Sequence, residues 1–121
     1  MHRNLVSPFT WILGLVLALV GVAGFFVEDM LLVFQVDLVH NVIHLVSGIV
    51  ALVAASRGYQ TARHFLIVFG VVYGLVTYLG FTMDGDILGY FSVNMADNYL
   101  HAAITAVCLI VGFGTYHHER V

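Results

Sequence analysis

The sequence predicts an all-α fold, a four-helix transmembrane bundle made of two parallel two-helix repeats. Three observations carry that prediction. Of the 121 residues, 61% are hydrophobic and only 9% charged, whereas a soluble domain carries about a quarter of its residues as Asp, Glu, Lys and Arg. The apolar residues gather into four runs, near 8–27, 38–55, 62–81 and 96–116, each close to the roughly 20 residues that cross a hydrocarbon core. The second half of the chain also repeats the pattern of the first.

The first run follows Arg3 and has small residues at Ala23 and Gly24, the outline of a secretory signal. Its length and its return later in the chain mark it as a span instead. An acidic loop with Glu28 and Asp29 leads to the second run, which ends at the turn formers Ser56-Arg57-Gly58. The third run ends at Asp84-Gly85-Asp86, which lacks the remaining ligands and terminal Glu of a calcium loop and reads as a solvated turn. The fourth ends at Tyr116, with His117, His118 and Glu119 as a cap. The whole is one transmembrane domain, 1–121, with repeat 1 over about 8–55 and repeat 2 over about 62–116. A soluble protein with four such helices needs a far larger polar shell than this chain supplies.

Orientation follows from Arg3, Arg57, Arg63 and Arg120, which four crossings place on one side, with most of the acids on the other. Because Arg and Lys in short loops stay cytoplasmic, both termini are expected in the cytoplasm of a multi-pass cell-membrane protein. Arg57 and Arg63 then mark the membrane interface between the second and third runs, too few for a polybasic lipid patch. Trp11, Tyr59, Tyr90, Tyr99 and Tyr116 lie toward run ends, where aromatic rings anchor at the headgroups. The net charge of −3 argues against nucleic acid as a partner. The single cysteine, Cys108, leaves no intramolecular disulfide and reads as a small packing residue.

The repeat is clearest where Val36-Asp37-Leu38-Val39-His40-Asn41-Val42-Ile43-His44 is set beneath Val93-Asn94-Met95-Ala96-Asp97-Asn98-Tyr99-Leu100-His101. Val36, Asn41 and His44 meet identical residues, Asp37 meets Asn94, and His40 meets Asp97. The loops before them agree at Leu31, Val33 and Phe34 against Leu88, Tyr90 and Phe91. With one residue of slippage, Gly14, Ala18, Gly21 and Gly24 fall opposite Gly70, Gly74, Thr77 and Gly80. Two crossings per repeat relate the copies by a pseudo-twofold axis along the membrane normal. Gly14-x-x-x-Ala18 and Gly70-x-x-x-Gly74 have the spacing that lets helix backbones approach closely in lipid.

In the second run Asp37, His40, Asn41, His44, Gly48, Ala51 and Ala55 fall on one helical stripe, and in the fourth Asn94, Asp97, Asn98, His101, Thr105, Cys108 and Gly112 do the same. Each stripe is polar at its outer end and small further in, so the two are expected to face each other or a shared cavity. Three readings compete for the polar ends. In the first, His40, Asn41, His44, Asp97, Asn98 and His101 form a hydrogen-bonded network that closes the outer end of the bundle. In the second, His40 and His44 with Asp97 and His101 hold zinc or another divalent transition metal, with Asn41 and Asn98 behind them orienting the imidazoles. In the third, His44 and His101 are axial ligands of a haem that Gly48, Gly70 and Gly74 make room for. A proton path stops midway, because the inner halves of the helices lack ionisable residues.

On 36–45 followed by Gly48, on Ala54-Ala55-Ser56-Arg57 with Ala62-Arg63, and on 93–101, the chain resembles the prokaryotic membrane proteins grouped as domain-of-unknown-function family 4383. The resemblance covers nearly the whole chain and implies a four-helix membrane protein of bacteria or archaea, with no activity attached. Thr105 departs from the repeat, standing where a Gly would match helix 2. No catalytic residues are assigned, since the sequence has no nucleophile–base–orienter set, Gly-rich phosphate loop or redox Cys pair. The expected function is that of a small integral membrane protein with a structural or accessory role; the alternatives are metal binding, haem binding or a transporter subunit. The lipid bilayer is its partner, with a homo-oligomer or larger membrane complex around it.

Overall fold

The computed structural model describes residues 5–114. Arg3, Tyr116, His117, His118, Glu119 and Arg120, used above for orientation, anchoring and capping, lie outside the described residues. Helix α1 spans Val6–Gly24. It starts ahead of Pro8, whose missing N–H costs nothing in a first turn where the N–H groups have no helical acceptor. It stops at Gly24, short of the expected end near 27, because the Phe25 and Phe26 N–H groups fold back onto the Val22 and Ala23 carbonyls, at 3.1 and 3.0 Å.

Helix α2 (Leu38–Ser56) begins at Asp37, an extended N-cap residue whose carboxylate accepts the His40 N–H at 2.8 Å. Gly58, at φ 108°, reverses the chain, and its carbonyl accepts the Ala62 N–H at 3.1 Å. That bond starts α3 (Tyr59–Thr82) three residues before the apolar run expected at 62. Helix α4 (Met95–Gly114) opens with a reciprocal cap: Asn94 Oδ1 accepts the Asp97 N–H and Asp97 Oδ2 accepts the Asn94 N–H, each at 2.9 Å.

The segments joining α1 to α2 and α3 to α4 are small antiparallel hairpins, where the sequence suggested only loops and turns. Strands β1 (Met30–Leu31) and β2 (Phe34–Gln35) pair Met30 with Gln35 and Leu31 with Phe34. Strands β3 (Asp86–Ile87) and β4 (Phe91–Ser92) pair Asp86 with Ser92 and Ile87 with Phe91. Two-residue strands leave no alternation to detect, and the turns use positive φ at Leu32 and Leu88, residues that rarely adopt it. At the base of the hairpins the Val36 N–H reaches Asp29 O and the Val93 N–H reaches Gly85 O, both at 2.8 Å. Gly85 is needed there: its φ is 85°, and a Cβ would stand 2.5 Å from the Val93 carbonyl oxygen.

Helix α1 packs closely on α2, and α3 on α4. The small residues singled out in the sequence lie at these contacts. A Cβ at Gly48 would sit 2.7 Å from Gly14 O and overlap the Ala18 backbone, while one at Gly70 would meet Leu109 at 2.8 Å. Away from the hairpins, Val6, Leu13, Leu66, Phe69 and Cys108 belong to the buried apolar core, and the Arg63 guanidinium closes that end by donating from Nε to Gly112 O at 2.8 Å. The outward faces carry residues such as Ile12, Leu19, Val68, Leu75 and Ile110, each at least 60% exposed. Water would reject so continuous an apolar surface. All four helices are long and apolar enough to cross a membrane.

Replacing Gly48 with Leu is expected to wedge α1 from α2 and lower stability by about 1–3 kcal/mol or more, read from thermal unfolding in detergent. Gly114→Ala, where nothing lies within 4 Å of an added Cβ, is expected to change it by about 0.5 kcal/mol or less.

Candidate metal centre

Under the two hairpins, the starts of α2 and α4 bring three histidines together. The Asp37 cap fixes the first turn of α2, which sets His40 and, one turn later, His44 on its buried face. On α4 the reciprocal Asn94–Asp97 cap does the same for His101. All three are buried, with 1%, 7% and 3% of their surface exposed. Their ring centroids lie 4.4 Å (His40–His44), 5.5 Å (His40–His101) and 6.1 Å (His44–His101) apart. One ring nitrogen from each lies within 4.8 Å of the others. Aromatic rings surround the cluster, Phe91 at 5.3 Å from His40 and Tyr73 at 5.1 Å from His101.

The Nδ1 atoms of His40, His44 and His101 are all buried without a hydrogen-bond partner. A buried polar atom left unpaired costs about 1–3 kcal/mol, and Asn41 Oδ1, Asn98 Oδ1 and Thr105 Oγ1 are buried and unpartnered as well. Neutral imidazoles suit zinc and its neighbours in the first transition row. Around a tetrahedral zinc with bonds of about 2.0–2.1 Å, ligand nitrogens stand about 3.3 Å apart. The 4.8 Å within which the three nitrogens lie exceeds that separation by up to about 1.5 Å.

Asp97, expected as the fourth ligand, lies outside this group. Its Oδ2 accepts the N–H of Asn94 at 2.9 Å and that of Gln35, in the opposite hairpin, at 3.2 Å. Asp37 mirrors it, Oδ1 holding the His40 N–H and Oδ2 the Ser92 N–H of the other hairpin at 2.9 Å. Each carboxylate therefore starts its own helix and ties down the hairpin of the other half, and Asn94 Nδ2 adds a bond to Val33 O at 2.9 Å.

The asparagines expected to orient the imidazoles are placed against glycines of the neighbouring helices. Asn98 donates from Nδ2 to Gly80 O at 3.1 Å and to Met95 Sδ at 3.6 Å. Asn41 packs into the space that a side chain at Gly24 would fill. Of the glycines expected to admit a haem, Gly48 lies against Ala18, Gly70 against Leu109 and Gly74 against the Thr105 methyl. The His44 and His101 rings stand at 73° to each other, with the His40 ring 4.4 Å from that of His44. Arg57 caps the C-terminus of α2 and Arg63 lies in the second turn of α3, both at the end away from the histidines. Tyr73 and Phe69 escape sequence reasoning, because their signal is slight: aromatic residues in the third run where the first has Leu17 and Leu13.

The model of a family described as a domain of unknown function (DUF4383) matches residues 8–114. No curated protein and no solved structure matches the chain.

Asp97→Ala is expected to lower stability by about 1–3 kcal/mol, because two N–H groups lose their acceptor. Asp97→Asn keeps an oxygen for both and is expected to lose less, a ranking that thermal unfolding of the two variants checks.

Proposed function

The chain belongs to the DUF4383 family, and we propose that it is a small multi-pass membrane protein that holds one transition-metal ion, of the zinc class, on His40, His44 and His101. The observation that carries this reading is the convergence of three buried imidazoles from two helices, each with an unpartnered Nδ1. Hydrocarbon offers buried imidazole nitrogens no hydrogen bonds, so an ion shared by the three rings gives each a partner. Three protein ligands with a fourth position left to water or substrate is the stoichiometry of reactive zinc sites, while closed structural sites use four. Asp97 serves this site from outside, by fixing the first turn of α4 on which His101 stands.

The chain is a single domain of two parallel repeats, and its role is structural or accessory within the membrane. The repeat is supported by paired features: His44 with His101, Asn41 on Gly24 with Asn98 on Gly80, and one hairpin before each even-numbered helix. The end carrying Arg57 and Arg63 faces the cytoplasm of the cell, as do both termini, which puts the metal site near the outer face.

Purified protein incubated with excess zinc and then desalted is expected to keep one ion per chain, by elemental analysis. His40→Ala, His44→Ala and His101→Ala each lose it, whereas Asp97→Asn keeps it. Zinc at about a hundredfold above its Kd is expected to stabilise the wild type by about 2.7 kcal/mol. Wild-type protein that emerges metal-free and unstabilised, or a triple His variant that retains the ion, overturns the reading.

A further inference from the structure

Two crevices flank the histidine cluster on opposite sides of the bundle. One, of about 280 Å³, lies between α2 and α3 and is lined by His40 and His101; the other, of about 230 Å³, lies between α1 and α4 and is lined by His44 and His101. Their frames correspond in part under the repeat alignment. Ile43, Val72 and Val76 line the first where Leu100, Val16 and Val20 line the second. At three other corresponding places the lining differs: Ser47 stands for Ile104, Phe69 for Leu13 and Tyr73 for Leu17. Phe91, from the second hairpin, closes the top of the first crevice beside His40.

Apart from His44 and His101, the α1–α4 crevice is lined by Phe9 and aliphatic side chains, and a hydroxyl brought into such a place costs free energy unless something pairs with it. The α2–α3 crevice brings two hydroxyl-bearing residues and three aromatic rings beside two of the three histidines. Tyr73 links the groups, its ring 4.2 Å from Phe69 and 5.1 Å from His101. Rings so placed present faces and edges to a planar guest. The space exceeds the roughly 150 Å³ that admits a benzene ring in an apolar protein cavity. Its rim includes Val72, 51% exposed on the outward face of α3, so a guest reaches it from the lipid.

We propose that the α2–α3 crevice admits a neutral, lipid-soluble molecule with a planar ring and a nitrogen or oxygen donor, whose lone pair takes the fourth position on the ion held by His40, His44 and His101. This rests on the metal-site reading above. The guest exchanges with a bound water, with no bond made or broken elsewhere and no change of oxidation state. Asp97 does not compete for the position, because its carboxylate is held by the Asn94 and Gln35 N–H groups.

The test uses full-length protein in lipid nanodiscs loaded with cobalt(II), a zinc substitute whose visible absorption reports its ligands. Phenylimidazole serves as the lipid-soluble probe and azide as the water-borne one. Titration with phenylimidazole is expected to shift the cobalt bands and saturate. The double variant Ser47→Ile, Tyr73→Leu removes both hydroxyls and puts the counterpart's residues at those two places, and is expected to keep its cobalt but bind the probe at least about tenfold more weakly. Val16→Trp, across the bundle, is expected to leave both unchanged. Bound cobalt with no response to phenylimidazole, a response to azide alone, or equal binding by the double variant overturns this inference and leaves the metal site standing. Wild-type protein that takes up no cobalt overturns the metal site, and this inference with it.

Discussion

Hydrocarbon gives a polar side chain nothing to bond to, and the arrangement of the helices follows from that constraint. Every strongly polar residue on the buried stripes of α2 and α4 has to find its partner inside the protein. The chain meets the demand by segregation. Toward the Arg63 end the helices meet mostly through glycine, alanine and aliphatic or aromatic contacts, with Arg63 Nε donating to Gly112 O. Under the hairpins the polar groups gather, and the hairpins lie over them like a lid tied at both sides. The ties are the two carboxylates, Asp37 holding the Ser92 N–H and Asp97 the Gln35 N–H.

The two carboxylates come from different helical positions, and the difference shapes the site. In α2 the acid is at the N-cap, Asp37, and the position three residues on is His40. In α4 the N-cap is Asn94 and the acid is the residue three on, Asp97. Both arrangements satisfy the first turn of a helix and reach the opposite hairpin. Only the first leaves the inner position free for an imidazole. The cluster therefore has three histidines where two identical halves would give two or four. The same departure from symmetry recurs lower down, where Tyr73, Phe69 and Ser47 line one crevice and Leu17, Leu13 and Ile104 the matching places of the other.

The helices and their buried faces were legible in the sequence because small and polar residues spaced at three and four within an apolar run mark one side of a helix. His40, Asn41, His44, Gly48, Ala51 and Ala55 are buried on α2 as that spacing requires. The hairpins were not legible, since strands of two residues carry no pattern and their turns place leucines at positive φ. The part played by Asp97 was illegible for a different reason: a carboxylate four residues before a histidine has the spacing of a metal pair and equally that of a helix cap. Only the position of the Gln35 N–H separates the two, and that depends on a hairpin the sequence did not announce. Asn98 misled in the same way, because its nearest partner, Gly80, lies on a helix whose register the sequence leaves open.

The metal site stands or falls on whether His40, His44 and His101 face one another closely enough to share an ion. X-ray absorption at the zinc edge of the zinc-loaded protein measures this most directly. Three imidazole nitrogens at about 2.0–2.1 Å, with the outer-shell scattering of the rings and one further light atom, are the predicted result. A shell of oxygens alone, or a sulfur at the distance of a Cys108 thiolate, would contradict it.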